Sequence, residues 1–254
     1  MNWGIVVLAG GEETGELANL MGTPFKAMAQ VSGKPSVELV VARAVADGFQ
    51  RGAVIGSEPS SAYAQPYLWS ADTGRAVGNA VLGVDLLRTE CDAFLFLAAD
   101  TPLIVPGEIA RFCSVVESRA HGHETWYAAG ACTIETFKRE YPEVPAKGIK
   151  LREGRFVTGT LFATNAAGLA HAAALVDEFR EHRKSAVKML LKVGVGAALK
   201  VAAGLADQAF AERTISNLLG GNAILDLNAD PSTCLDFDNP EEWRALLSVA
   251  ARKR

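Results

Sequence analysis

Cysteine is scarce and scattered in this 254-residue sequence. Cys91, Cys113, Cys132 and Cys234 form no C-x-x-C pair, and the four histidines do not cluster with them. That spacing argues against a zinc site, and a chain this long does not suggest a disulfide framework. A basic excess is also missing: 25 Lys and Arg stand against 29 Asp and Glu, for a net charge of -4. A general nucleic-acid binder carries a strongly basic face, so nucleic acid is not expected as a partner. A nucleotide is still allowed, because one lysine and a metal ion can handle a triphosphate. No uninterrupted run suits a membrane span of about 20 apolar residues. The most apolar late stretch, 186–210, is broken by Lys188, Lys192 and Lys200. Those lysines share a helical face, so the stretch reads as an amphipathic helix packed on the protein, ahead of membrane-surface or lipid contact. The opening MNWGIVVLAGG lacks a basic leader and has too short an apolar run for a signal peptide, so a cytoplasmic location is expected. The G-x-G-x-x-G fingerprint, internal repeats, low-complexity tracts and long linkers are absent as well.

With 49% hydrophobic and 21% charged residues, the chain can bury a sizeable core. Short apolar runs alternate with helical patterns. WGIVVLAG and GAVIGS read as strands, with a helix between them from about Pro35 to Asp47. A helix over 75–88, the strand DAFLFLAAD, a helix begun near Pro106 and the strand TWYAAGACT follow. Buried, non-alternating strands separated by helices predict a mainly parallel sheet covered on both faces, an α/β Rossmann-like three-layer fold. The second half is less regular. It reads as a hairpin over GIKLREGRFVTGTLFAT with its turn at Glu153-Gly154, helical segments from 166 to 219, a strand at NAILDLN, a short strand at CLDFD and a last helix from Pro240. One domain over 1–254 is the economical division. It comprises a nucleotide-binding half (1–120) and an acceptor-side half (121–254) carrying a helical insertion at about 180–219.

Ligands of open parallel sheets bind beyond the carboxyl ends of the strands. The first strand ends Leu8-Ala9-Gly10-Gly11, and Lys26 follows fifteen residues later. The third strand ends at Asp100 in AADTPL, and LDFDNPEEW places Asp236 and Asp238 two apart. Each has a plain alternative. The glycines can form an ordinary turn, Asp100 can cap a turn or the next helix, and Asp238 or Asn239 can cap the helix begun by Pro240. Taken together they suit phosphate chemistry. Glycine amides approach a polyphosphate, a lysine offers a point charge, and carboxylates from separate strand ends can hold Mg²⁺. A dinucleotide site would want the missing glycine fingerprint, although Glu58 follows the second strand.

VVLAGG, KAMAQVSGKPSVELVVARAVADG, FLFLAADTPLI and LDFDNPEEW occur in the order of a known set of motifs. By them the chain resembles the MobA-like nucleotidyltransferases. The resemblance implies a three-layer nucleotidyltransferase fold and Mg²⁺-dependent transfer of NMP from an NTP to a phosphorylated small-molecule acceptor, releasing pyrophosphate. It places Leu8, Ala9, Gly10 and Gly11 at the nucleotide, Lys26 at the phosphates or acceptor, and Asp100, with Asp236 or Asp238, at the metal. TGRAVGNAVLG falls on the family's base-recognition segment, which points to Gly74, Arg75 and Asn79. VTGTLFATN falls on its acceptor strand, which points to Thr158, Gly159, Thr160 and Asn165. A homo-oligomer is compatible with the sequence.

One departure stands out. Relatives usually carry Arg-Met-Gly shortly before the lysine, where this chain has Leu20-Met21-Gly22 in a longer, acidic loop with Glu12, Glu13 and Glu16. The acids can face solvent or hold a metal. Arg75, Lys147, Lys150, Arg152 or Arg155 could replace the missing guanidinium, and the basic cluster Arg180, His182, Arg183 and Lys184 could meet a phosphorylated acceptor or form a solvated helix end. The alternative to an active enzyme is a nucleotide- or sugar-nucleotide-binding protein that kept the fold and lost catalysis.

Overall fold

The computed structural model describes residues 1–57, 66–173, 196, 199–200 and 203–252. Glu58, Lys188, Lys192, the basic cluster at 180–184 and half of the expected 180–219 helical insertion lie outside the described residues.

The strands are β1 (Trp3–Ala9), β2 (Gln30–Val31), β3 (Lys34–Pro35), β4 (Gly52–Gly56), β5 (Leu68–Ser70), β6 (Ala93–Ala98), β7 (Trp126–Thr133), β8 (Ile149–Leu151), β9 (Gly154–Thr164) and β10 (Asn222–Asp226). The main sheet runs β10-β7-β9-β6-β1-β4-β5, with β8 paired to β9, while β2 and β3 form a separate small ribbon. Pairs β1–β4, β1–β6, β4–β5 and β7–β10 are parallel. β9 is antiparallel to its neighbours β6 and β7, which makes the sheet mixed. Ile5, Val6, Val7, Phe94, Leu95 and Leu97 are buried, as the non-alternating apolar runs require of strands covered on both faces.

The helices are α1 (Gly15–Met21), α2 (Ser36–Ala46), α3 (Ala76–Leu87), α4 (Glu108–Ala120), α5 (Ile134–Glu140), α6 (Gln208–Leu219) and α7 (Pro240–Arg252), with a helical stretch over 166–173. One face of the sheet packs Ile5, Val7 and Leu95 with Val37, Val40 and Val41 of α2 and Ile109, Phe112 and Val116 of α4. On the other face, Val6, Ile55 and Phe94 pack with Ala80, Val84 and Leu87 of α3. Among the described residues, no helix is long and apolar enough to cross a membrane.

Three local expectations are corrected by the structure. CLDFD is not a strand. Pro231–Cys234 form a 3-10 turn that Asp230 caps by accepting from Ser232 N at 2.8 Å, so Asp-Pro-Ser turn chemistry takes up Cys234, and Leu235–Asp238 run on without strand pairing. The β8–β9 turn lies at Arg152-Glu153, and Gly154 already pairs with Leu151. The acidic loop contains a helix, α1, ended by Gly22 in the left-handed conformation at φ 71°.

Two devices aim the strand ends. Between Ala129 and Ala131 the β7–β9 register shifts, and beyond that bulge β8 lies on the edge of β9 that β6 occupies below it. The β8–β9 hairpin therefore overhangs the carboxyl end of β6. At the far edge, Glu108 and Asp226, each 5% exposed, converge on Arg111. Arg111 donates to Glu108 at 2.6 and 2.7 Å and to Asp226 at 2.5 Å, and Glu108 also accepts from Asp230 N at 2.9 Å. This network ties the loop after β10 to α4. Arg111→Leu would leave two buried carboxylates without their cation. Its expected cost is on the order of 3 kcal/mol, read as a lower denaturant midpoint at unchanged slope in urea unfolding.

Candidate active site

β1 ends at Ala9, and the chain turns through Gly10 and Gly11 into the acidic loop. A Cβ on Gly10 would lie 2.6 Å from both Asp72 Oδ2 and Asn79 Nδ2, so any side chain there would displace the loop. Gly11 sits at φ 93°, where only glycine is unstrained. Its amide donates to Asp72 Oδ2 at 2.8 Å. The other Asp72 oxygen accepts from Gly74 N at 2.8 Å and Asn79 Nδ2 at 2.9 Å, while Asn79 Oδ1 accepts from Thr73 N at 2.9 Å. The Asn79 hydrogen bond, with those from Gly11 and Gly74, holds the Asp72 carboxyl below its usual range despite its partial burial. The segment before α3 therefore acts first as a clamp on the glycine loop. Asp72, the centre of that clamp, carries no periodic or motif signal in the sequence; only its place just before a helix start could have drawn attention to it.

Two adjoining cavities share Gly10 and Gly11. One, of about 370 Å³, is lined by those glycines, Phe25, Met28, Gly56, Ser57 and Asp72. The other, of about 170 Å³, runs from Leu8 and Ala9 past Glu12 and Glu13 to Lys26 and Asp100. Lys26 opens a 3-10 turn, Lys26–Met28, and its side chain is mostly buried. Its ammonium donates to Asp100 Oδ2 at 3.4 Å and to Asp238 Oδ1, and Glu13 Oε1 lies 3.6 Å away. Burial alone would lower the Lys26 pKa. The Asp238 hydrogen bond and the charges of Asp100, Asp238 and Glu13 outweigh it, leaving the ammonium above its ordinary value and firmly charged.

The plain alternatives for the acids are occupied by other residues. The start of α4 is capped by Asp47, which accepts from Gly107 N at 2.9 Å and Ile109 N at 3.2 Å, so Asp100 is not needed there. Asn239 caps α7, accepting from Glu241 N and Glu242 N at 3.0 Å each, with Pro240 at the first helical position. Asp238 is thereby left to reach Lys26. Asp236 lies close enough to feel both other acids. Burial first, then the Asp100 and Asp238 charges, push its carboxyl up to about 6. Burial raises Asp100 too, against the lowering influence of Lys26.

Among the described residues, no three Asp, Glu, His or Cys side chains form a metal cage. Mg²⁺ commonly takes only one or two protein carboxylates and fills its shell with water and phosphate oxygens. Asp100 and Asp238, which already share one cation, match that donor set.

The remaining expected residues separate. Thr160 lies in the β9 bulge, where its hydroxyl accepts from Thr101 Oγ1 at 3.0 Å and donates to Thr233 O at 3.1 Å. Gly159 lies beside it, and a Cβ there would approach Thr233 Oγ1 to 2.9 Å. Thr158 is exposed beyond the bulge. Asn165 is at the opposite end of the sheet: its neighbour Thr164 pairs with Phe94, near the start of β6. There Asn165 accepts from Gly168 N at 2.9 Å, starting the helical stretch, and donates to Glu124 O at 2.7 Å. Arg75 is exposed at the start of α3. Neither it nor Lys147, Lys150, Arg152 or Arg155 lines the two cavities. Arg152 is paired with Asp207 at 2.5 Å. Leu20, where relatives carry arginine, is 41% exposed on α1. Of the loop acids, Glu13 faces Lys26 and Glu16 binds Arg244 of α7 at 2.7 Å.

The raised Asp236 carboxyl has a definite linkage sign. Its folded value of about 6 exceeds the ordinary 3.8, so its contribution to stability is full below the ordinary value and is lost as pH rises through about 6. Asp236→Asn removes that dependence. Relative to the unsubstituted protein without metal, the variant should gain on the order of 2 kcal/mol between pH 4 and pH 7, measured by urea unfolding across that range.

The model of the MobA-like NTP transferase domain matches residues 5–145, more than half of the chain. None of the curated proteins matches it. Among solved structures, a hypothetical transferase from Thermus thermophilus is 26% identical with a TM-score of 0.80, over 95% of this chain and 99% of that one. A 2-C-methyl-D-erythritol 4-phosphate cytidylyltransferase, also from Thermus thermophilus, has a TM-score of 0.55 at 15% identity, over 99% of this chain and all of that one. A CMP:2-keto-3-deoxy-manno-octonic acid synthetase complexed with CTP has a TM-score of 0.63 at 13% identity, covering both chains fully. The last two likenesses concern the fold, which is shared along the whole chain. The family match falls on the segment that carries the glycine loop, Lys26 and Asp100, and the chain belongs to the MobA-like NTP transferase family of nucleotidyltransferases.

Proposed function

We propose that the chain transfers NMP from an NTP to a phosphorylated small-molecule acceptor with release of pyrophosphate, using Mg²⁺ held by Asp100 and Asp238. The observation that carries this reading is the Lys26 ammonium seated between those two carboxylates at the mouth of the glycine-loop cavity. The nucleotide would lie along Leu8, Ala9, Gly10 and Gly11. Asp72, Gly74 and Asn79 keep the loop open for it. Arg75 is exposed at the start of α3, at the edge of the same segment.

In this reaction an acceptor oxygen attacks the α-phosphorus in line and pyrophosphate leaves, so no side chain needs to form a covalent intermediate. The work of the chain is positioning and charge neutralisation. Lys26, once drawn from its carboxylates, offers its charge to the phosphate oxygens. Bound Mg²⁺ would neutralise developing negative charge and polarise the phosphoryl group. Asp236, beside both acids, strengthens the negative field that attracts the cation. Thr158, Gly159 and Thr160 follow the β8–β9 pairing along β9. With Lys150 and Arg155 on that hairpin, this is the natural side for an acceptor phosphate. Asn165, capping a helix at the other end of the sheet, has no part in it. Cavities of about 370 and 170 Å³ suit small molecules rather than nucleic acid.

A second reading, nucleotide binding without catalysis, is favoured by one observation. Glu13 faces Lys26, and Leu20 stands where relatives place a guanidinium, so the phosphate end of the site is poor in positive charge. A pyrophosphate-release screen of the four NTPs with Mg²⁺ against sugar phosphates, polyol phosphates and cofactor precursors separates the two. Release with at least one pair is expected, and Asp100→Ala should lower it on the order of 10³-fold with the fold retained by circular dichroism. Tight NTP binding with no release from any pair would favour the binding protein. Unchanged turnover in Asp100→Ala would remove the metal assignment.

A further inference from the structure

The four cysteines are far apart in sequence, but the fold joins two of them. Cys132, near the end of β7, and Cys234, the last residue of the 3-10 turn, are separated by 102 positions, and their sulfurs are 3.5 Å apart. Both are buried, in the cluster that includes Val157, Leu235, Phe237 and Trp243. Two residues beyond Cys234 stands Asp236, and two further on Asp238, which holds Lys26.

We propose that Cys132 and Cys234 form an oxidative modification site, closing a reversible disulfide that displaces the Asp236–Asp238 segment. Its effect on nucleotide rests on the proposed role of those acids, while the disulfide itself does not. The thiols are electrostatically distinct. The Cys234 hydrogen bond pulls Cys132 towards thiolate, against the effect of burial, and the same bond together with burial pushes Cys234 up. Cys91 and Cys113 are both pushed up, chiefly by burial. Either sulfur can be the donor in their hydrogen bond, so either can attack first, and the step balances the same way with the two exchanged.

With hydrogen peroxide as oxidant, the Cys132 sulfur attacks the O–O bond, giving a sulfenic acid and one water. The Cys234 sulfur then attacks the sulfenic sulfur, and its proton leaves with the hydroxyl as a second water. Two thiols lose two electrons, and one peroxide becomes two waters.

A disulfide needs sulfurs about 2.0 Å apart, so the pair must close by about 1.5 Å from its present 3.5 Å. β7 is fixed on both edges by β10 and β9, which leaves the turn to move. The turn is itself pinned, because Ser232 Oγ accepts from Val105 N at 3.1 Å and Thr233 O accepts from Thr160 at 3.1 Å. Closure strains these contacts, and strained disulfides are the readily reduced ones. Shifts of about 1 Å in a positioned catalytic group can cost 10²-fold.

The test uses the whole protein, first reduced and then treated with peroxide. Non-reducing digestion and mass analysis should find a Cys132–Cys234 linked peptide and loss of two of the four thiols, both reversed by dithiothreitol. Binding of Mg²⁺-loaded ATP, CTP, GTP and UTP, measured in parallel, should weaken at least ten-fold on oxidation for any nucleotide that binds the reduced protein. Cys132→Ala and Cys234→Ala should each abolish both effects. Persistence of all four thiols, linkage through Cys91 or Cys113, or unchanged binding by the linked protein would overturn the proposal. If the reduced protein binds none of the four, the functional reading and the coupling fall together, while the linked peptide still decides the modification on unsubstituted protein.

Discussion

Lys26 is the point on which the rest of the site depends, because its ammonium meets one acid 74 residues away and another 212 residues away. A mostly buried cation is costly unless it is paired, and carboxylates crowded together in a cleft are costly without a cation. Each cost offsets the other. The exchange takes place where the carboxyl end of β6 and the segment before α7 meet the glycine loop of β1. The β1–β6 pairing and the full burial of Leu235 and Phe237 bring the three segments together, and Lys26 is the cation their acids then share. On the proposed function, a polyphosphate entering the loop would compete with Asp100 and Asp238 for Lys26, and a divalent cation would compete with Lys26 for them.

Helix capping decides which acids are free to take part. An aspartate before a helix is ordinarily a cap, and both Asp100 and Asp238 have sequences that allow that reading. Asp47 and Asn239 perform the capping instead. For Asp238 the choice was nearly legible, since Asn239 stands beside it just before a proline. For Asp100 it was not, because Asp47 lies at the end of a different helix, about 60 residues earlier, and reaches the start of α4 only through the fold. Sequence patterns register local contacts well. They do not register which of two eligible acids a distant helix end has already satisfied.

The same distinction explains what else could be read. β1, α2, α3, β6, α4, β7 and α7 are long and periodic enough for their apolar residues to declare them, and the family motifs fall on their ends. β5 is three residues long, and CLDFD has strand composition, but its Cys234 ends the 3-10 turn and Leu235–Asp238 follow without regular structure. Asp72 sits in a polar stretch and matters because Gly10 and Gly11 leave room beside it. Thr160 and Asn165 belong to one strand and its immediate exit, yet the antiparallel direction of β9 sends them to opposite ends of the sheet. Proximity in sequence was a poor guide there. A bulge and a strand direction, both set by pairing with β6 and β7, decide which residue faces the site.

The acidic loop is the part where chemistry and resemblance diverge, and the structure makes the divergence specific. Loss of an arginine need not be a defect if the site's charge is set by other means. Among the described residues, the cavity at Lys26 is lined by Glu12, Glu13 and Asp100 with Lys26 as its one cation, so in the proposed reading its own field would repel a bare polyphosphate. Glu16 meanwhile binds Arg244, which joins the loop to α7, the helix whose first turn follows Asp238. The loop and the closing acidic segment are thus tied at two points, Glu13 through Lys26 and Glu16 through Arg244. A nucleotide that releases the first tie still leaves the second. Glu13, which weakens the site's hold on phosphate, is then also one of the two acids that keep its sides in register, and in this chain a guanidinium at position 20 would have stood on an exposed helix face rather than in that link.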